Sequence, residues 1–330
     1  MKPDPIFSDS MVFAAGKPIR IYGEGAGEGL LRFAGQSQGI KSEGGRWSAE
    51  FAPMEYGGPY TLEVEFAGEK ISFKDIYIGE VYLFAGQSNM QFKLKESAAP
   101  REFYEDLPAL RLFSTERIEK TDHFTPKDGW VPAERDSVAE WSAIAYLTGR
   151  LLCKERGIAI GAIACYQGAS VIESWVPKGH FEKLGIGVAP EARFHDHTTY
   201  SDWNGDGCLY EKALSQVIPF SLSGVVWYQG ESDDTPEEGV EYGKELAALI
   251  DQWRADFKDE HLPFTIIQLA DCDKRGGEGW KRIQKAQAEI ASVRERVQTV
   301  VSKDLCETND IHPPTKHLLA ERIAKALVKF

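Results

Sequence analysis

Cysteine is scarce and dispersed in this chain: Cys153, Cys165, Cys208, Cys272 and Cys306, with no CxxC pair among them. An odd, scattered set excludes a disulfide framework and reads as reduced thiols. Long apolar runs are also missing, and a membrane-spanning helix needs about 20 predominantly apolar residues in succession. The opening, MKPDPIFSDSMVFAAG, carries Asp4 and Asp9 where a signal peptide requires an apolar core. These absences lead to the expectation of a cytoplasmic protein with no membrane partner. Basic charge is in deficit, with 38 Lys and Arg against 51 Asp and Glu and a formal net charge of −13. Such a balance argues against nucleic acid or an anionic membrane surface and favours neutral or polar ligands.

The 330 residues that remain to be explained are 42% hydrophobic and 27% charged, ordinary values for a globular protein. The length suits one large α/β domain with a small partner domain. Residues 1–76 read as all-β. The runs PIRIYGEGAGEGLLRFAG, RWSAEF, YTLEVEFAG and EKISFKDIYI alternate partially and are separated by glycine-rich turns. They predict a small β-sandwich of jelly-roll character. From residue 77 to 330 the texture changes. EVYLFAG, IAIGAIACY, SGVVWYQG, PFTIIQLA and VQTVVSKDL are apolar on both faces, and helical patterns such as SAIAYLTGRLLCKERG lie among them. Alternation of this kind predicts a parallel sheet covered by helices, with any active site outside the carboxyl ends of the strands.

The strand ends are therefore where chemistry should be sought. The pentapeptide FAGQS occurs twice, at residues 33–37 and 84–88. The first copy lies between two short strands of the β region with no helix after it, so Ser37 reads as a solvated hairpin residue. The second follows EVYL and continues Asn89-Met90, and Gly86 there permits the tight turn that would present Ser88 at the mouth of the sheet. Two further strand ends read Gln167-Gly168-Ala169-Ser170 and Gln229-Gly230-Glu231-Ser232-Asp233, and a fourth polar stretch is Asp310-Ile311-His312-Pro313. Pro313 biases His312 to extended backbone, in which positions i and i+2 project to one side, so Asp310 and His312 should turn towards each other. A carboxylate beside an imidazole fixes its tautomer and stabilises the imidazolium formed during general-base catalysis. With a serine at another strand end, the parts for acyl transfer are present. The N–H groups of Ser88 and Gly168 and the side-chain amide of Gln229 are the expected oxyanion donors.

These blocks resemble those of the SGNH hydrolases and, within them, the sialate O-acetylesterase group of carbohydrate esterases. GQSNM (86–90), YQGAS and IESW (166–175), WYQGES (227–232) and DIHP (310–313) carry the likeness. FSDSMVF, GGPYTLEV and KDIYIGEVY are similar to that group's N-terminal β-domain and its junction. The resemblance implies a flavodoxin-like three-layer catalytic domain and a serine esterase that removes O-acetyl groups from carbohydrates through an acetyl-enzyme intermediate. It implies Ser88 as nucleophile, His312 as base and Asp310 as its orienting acid, with Ser88, Gly168 and Gln229 around the oxyanion. No metal or organic cofactor is implied. Two features depart from the broad pattern. Gln167 stands where paired glycines are usual, and Gln229 stands where the wider superfamily has Asn, as the sialate-esterase branch does.

Gln87, Asn89, Gln167, Trp175 and Glu231 are the expected substrate contacts, Trp175 as an aromatic platform for a pyranose face. Tyr166, Glu173 and Trp203 read first as packing. Asp304 is the second candidate for the triad acid, although its place after VQTVVSK favours a structural role. Asp202-Trp203-Asn204-Gly205-Asp206-Gly207 matches the first half of a calcium loop, but position twelve is Ala213, so a turn is expected. His195-Asp196-His197 lacks a third zinc ligand at usable spacing and reads as a polar loop. Arg193 and Lys178 are the candidates to meet a sialic acid carboxylate. Acetylated xylo- or manno-oligosaccharides are the alternative substrates, and a non-catalytic carbohydrate-binding protein on an esterase scaffold is the alternative class. Self-association is left open.

Overall fold

The computed structural model describes residues 2–66, 68–115, 129–187 and 202–329. Eight strands open the chain: β1 (Lys2–Pro3), β2 (Val12–Ala14), β3 (Ile19–Glu24), β4 (Glu28–Phe33), β5 (Gln36–Lys41), β6 (Arg46–Phe51), β7 (Gly57–Phe66) and β8 (Glu69–Gly86). β1, β3 and β6 make one antiparallel sheet, while β4 pairs with β5 and β7, and β7 with β8. Strict alternation builds the inner face: Trp47, Ala49 and Phe51 of RWSAEF are buried, with exposed residues between them. Phe33 of β4 packs against Phe51 of β6 at 6.0 Å between ring centroids, so the two sheets share a core, as the sandwich reading expects. Ser37 lies on β5 opposite Arg32, one position past the hairpin turn, and is exposed.

The second part contains β9 (Leu107–Ser114), β10 (Val131–Ala133), β11 (Ile160–Tyr166), β12 (Gly224–Tyr228), β13 (Phe264–Ile267) and β14 (Val297–Val300). Sheet order is β10-β9-β11-β8-β12-β13-β14, parallel throughout except for the edge strand β10. Every residue of β11, β12 and β13 is buried, which is why these strands read as continuous apolar runs rather than alternating ones. Without β10 and its neighbour β9, the chain order across the sheet is 2-1-3-4-5, the flavodoxin-like winding. The order reverses at β8, so ligands should sit beyond its carboxyl end.

Helices cover the sheet: α1 (Ser88–Gln91), α2 (Ala143–Arg156), α3 (His180–Leu184), α4 (Cys208–Lys212), α5 (Pro236–Asp256), α6 (Glu278–Val293) and α7 (Lys316–Leu327). Local chemistry sets the long ones. Thr235 and Glu238 form a capping box at the head of α5, with Pro236 at its first turn. The Ser142 hydroxyl caps α2, and Gly157, at φ 63°, ends it in the left-handed conformation. No described helix is long and apolar enough to cross a membrane.

β8 belongs to both parts. Its first half pairs antiparallel with β7 up to Ile78, and its second half pairs parallel with β11 and β12 up to Gly86. The boundary expected between residues 76 and 77 falls inside this strand.

Candidate active site

The turn after β8 leaves no room for a side chain at Gly86, whose φ is 139°. Neighbouring strands hold the turn in place: Gln87 N–H donates to the Tyr228 carbonyl and Gln167 N–H to the Gly86 carbonyl, each at 3.0 Å. The following residue is Ser88, the first of α1 and half-buried. As a first helical residue its N–H has no intrahelical acceptor.

The last part of the site comes from the chain between β14 and α7. His312 Nε2 stands 2.8 Å from Ser88 Oγ, and the imidazole stacks on Phe92 at 6.2 Å between centroids. Burial, and secondly the Lys316 ammonium, depress the basicity of His312, against the opposing pull of Asp310 and Glu96. The ring is thus held neutral near pH 7, the form that can accept a proton. Asp310 does lie beside His312, but through the main chain: its Oδ1 accepts the His312 backbone N–H at 2.9 Å, and the carboxylate is exposed. The segment bends here as an Asx-type turn rather than running extended.

The other expected residues surround this pair in different ways. Gly168 N–H donates to Gln91 Oε1 at 2.8 Å. Gln229 is fully buried, and its amide donates to the Ser170 carbonyl at 2.8 Å and to the Asp233 carboxylate. Its carbonyl groups accept from Tyr242 and Gln287, so the side chain forms part of a buried polar knot and points no free donor at Ser88. Gln87 bridges sideways, donating to Ser232 Oγ at 3.3 Å and accepting from Gly230 N–H at 3.2 Å. Gln167 is buried, and its Nε2 has no hydrogen-bond partner among the described residues.

Three expected substrate contacts are instead internal. Trp175 is fully buried, edge-on to Trp227 at 5.8 Å, with its Nε1 donating to Ser170 Oγ, so it has no face to offer a sugar. Asn89 and Glu231 are buried as well and bonded to each other at 2.5 Å. Asn89 Nδ2 also donates to the Ile311 carbonyl at 2.8 Å, and its Oδ1 accepts from Lys316 Nζ at 2.6 Å. Tyr166, Glu173 and Trp203 are buried, as their packing reading expects.

The calcium-like stretch works as a turn. Asn204 Oδ1 accepts Val171 N–H and its Nδ2 donates to the Ala169 carbonyl, and Asp206 accepts Gly179 N–H. It thereby pins the loop after β11, which Asp233 also holds through Ile172 N–H at 3.1 Å. No group of three metal-ligating side chains occurs among the described residues. Asp304 pairs with Arg322 at the surface, at 2.7 Å, and takes no part in the site. Lys178 is exposed, whereas Arg193 and His195-Asp196-His197 lie outside the described residues.

A cavity of about 510 Å³ lined by Tyr56, Tyr77, Ile78, Arg111 and Ala159 opens at the other end of the sheet. Gly86 lies eight positions along β8 from Ile78, a span of roughly 26 Å, so this cavity is remote from Ser88.

Gln91 and Lys316 are the residues that reading the sequence missed. Lys316 carried a signal: it stands at i, i+3, i+4 and i+7 with Leu319, Ala320 and Ile323, a lysine heading an apolar helical stripe.

A serine hydroxyl bonded to an imidazole thus stands at the switch point of a flavodoxin-ordered sheet, where a ligand of an α/β fold would lie. Residues 78–329 match the carbohydrate esterase family described as sialic acid-specific acetylesterases, and the chain belongs to that family. It is 27% identical over 318 residues to the sialate O-acetylesterase of Pongo abelii and 26% identical to that of Homo sapiens. Each comparison covers 86% of this chain and 60% of the relative, so the chain spans about 60% of the length of these curated relatives. Among solved structures, a carbohydrate acetylesterase from Xanthomonas citri superposes with a TM-score of 0.84 at 26% identity, covering 98% of this chain and 74% of that one.

Proposed function

We propose that this protein is a serine esterase that removes O-acetyl groups from carbohydrates through an acetyl-enzyme intermediate. The observation that carries the reading is the 2.8 Å contact between Ser88 Oγ and His312 Nε2. At that separation the neutral imidazole accepts the hydroxyl proton as Oγ attacks the acetyl carbonyl. The imidazolium then protonates the departing sugar oxygen, leaving acetyl-Ser88. Water, deprotonated by the same ring, cleaves the acyl bond and regenerates the hydroxyl with release of acetate. Asp310 serves as the acid partner by fixing the His312 backbone and by its charge. Ser88 N–H is the first oxyanion donor. Gly168 N–H is the second, exchanging Gln91 Oε1 for the substrate oxygen. Gln229 supports this hole by holding Ser170 and Asp233.

Acetylated sugars are proposed as substrates because the family and the named relatives act in that class. Five free thiols fit a reducing compartment, and cytoplasmic placement is part of the proposal. The test is acetate release from 9-O-acetyl sialic acid and from acetylated xylo- and manno-oligosaccharides, alongside a generic aryl acetate. Wild-type protein that hydrolyses none of these would end the esterase reading. Equal rates on all would deny a sugar-specific pocket.

A further inference from the structure

Lys316 is buried to 0% exposure at the head of α7. A buried ammonium loses its hydration, so such a lysine needs a reason to be kept. Its Nζ lies 5.1 Å from the Phe92 ring and 5.4 Å from the Tyr228 ring, and both faces attract a cation. Its hydrogen bond goes to Asn89 Oδ1, at 2.6 Å.

Asn89 is the neighbour of Ser88, and Ile311, whose carbonyl it holds at 2.8 Å, is the neighbour of His312. One amide thus ties the residue after the serine to the residue before the histidine. The third tie is to Glu231 on the loop after β12. An amide can be turned over at little cost unless its two ends are told apart. The Ile311 carbonyl only accepts and so calls for Nδ2, and the cation on Oδ1 fixes the same orientation from the opposite end of the amide. Turned over, it would set oxygen against oxygen on the His312 segment.

We propose that Lys316 is a positioning residue for catalysis, locking the Asn89 amide so that the His312 segment is held against the Ser88 turn. This rests on the esterase reading given above. The charge has a second effect at the same place. The charged groups facing His312 are Asp310 on its own segment, Glu96 from the 3-10 turn after α1, and Lys316 from α7. The two carboxylates favour the imidazolium and Lys316 opposes it. Burial lowers the Lys316 ammonium itself to about 8, so it carries its charge through the neutral range in which His312 must stay unprotonated. Glu231, across the amide, is pushed upward by its own burial, and its Oε2 has no partner among the described residues.

The test compares wild type with Lys316→Met and with the double variant Lys316→Met/Glu231→Gln, which removes the carboxylate left uncompensated. Aryl acetate hydrolysis gives kcat, KM and the pH profile, and circular dichroism with thermal melting follows the fold. Labelling of Ser88 by a fluorophosphonate reports the nucleophile independently. In both variants kcat should fall by about tenfold to a hundredfold, the cost of a small misplacement of reacting groups. KM should stay within about twofold, and the acid limb of kcat/KM should move to higher pH, since His312 loses an opposing cation. The role is overturned if kcat stays within about threefold of wild type, if it falls with no movement of the limb, or if the double variant restores both. Activity lost only in proportion to folded protein also overturns it. A wild-type protein neither active nor labelled at Ser88 would instead sink the esterase reading and this role with it.

Discussion

Gly86 lies flat against the Tyr228 carbonyl: a β-carbon on Gly86 would stand 2.0 Å from that oxygen. Backbone, not a movable side chain, occupies the space. Gly86→Ala should therefore cost about 3 kcal/mol or more, or displace the Ser88 turn. Thermal melting and aryl acetate hydrolysis together distinguish the two. A variant with wild-type stability and wild-type rate would contradict the packing described.

Ser88→Ala should remove activity by about ten-thousandfold or more while leaving the fold intact, as loss of a nucleophile does in other serine hydrolases. Ser37→Ala, on the exposed face of β5, should leave the rate within about twofold. Rates of both variants on one acetate ester decide which copy of FAGQS is chemical.

The acid limb of kcat/KM should lie below about 6.5, the ordinary histidine value. The sign follows from burial: the folded site disfavours imidazolium, so His312 keeps its neutral form to lower pH than a free imidazole. Activity should fall as pH drops through that limb, because protonated His312 cannot take the Ser88 proton. A limb above the ordinary value would mean that Asp310 and Glu96 outweigh burial and Lys316.

Asp310→Asn should slow turnover by about tenfold, less than the roughly ten-thousandfold seen when a buried acid bonded to the ring is replaced. The carboxylate is exposed and grips the main chain, so its charge is screened, and added salt should shrink the difference between variant and wild type. Asp304→Asn should leave turnover unchanged, since that residue serves a surface pair with Arg322. Steady-state kinetics at low and high salt test both.

Trp175→Ala should act on stability and not on sugar binding. A buried tryptophan removed from a cluster with Trp227 and Trp253 costs about 3–5 kcal/mol. Denaturant unfolding reads that loss. A large rise in KM with unchanged unfolding would restore the platform reading.

Most of the sheet was legible because burial on both faces writes itself into β11, β12 and β13 as unbroken apolar runs. β9, next to the edge, was not, since LPALRLFS mixes exposed and buried positions and carries a proline. At the site, the meeting of Ser88 and His312 could be anticipated because each stands at a strand end or beside a proline. Trp175, Asn89 and Glu231 could not be placed, because a polar or aromatic residue after a strand reads alike whether it turns outward or in. The Asp310–His312 relation failed in its detail for a local reason: an Asp side chain competes for nearby backbone N–H groups, and that bond bends the chain. Lys316 escaped because a lysine on a helix is by default a solvated residue.

The passage of β8 through both sheets bears on anyone who would divide this chain. A cut near residue 76 would sever one continuous beam: the N-terminal piece would lose Tyr77–Gly79, the whole stretch of β8 that pairs with β2, together with Ile78, the partner of Gly57 in β7. The N-terminal sheets are therefore a keel for the strand that delivers Ser88, and exchange of this region between relatives would have to carry Glu69–Gly86 with it as one piece.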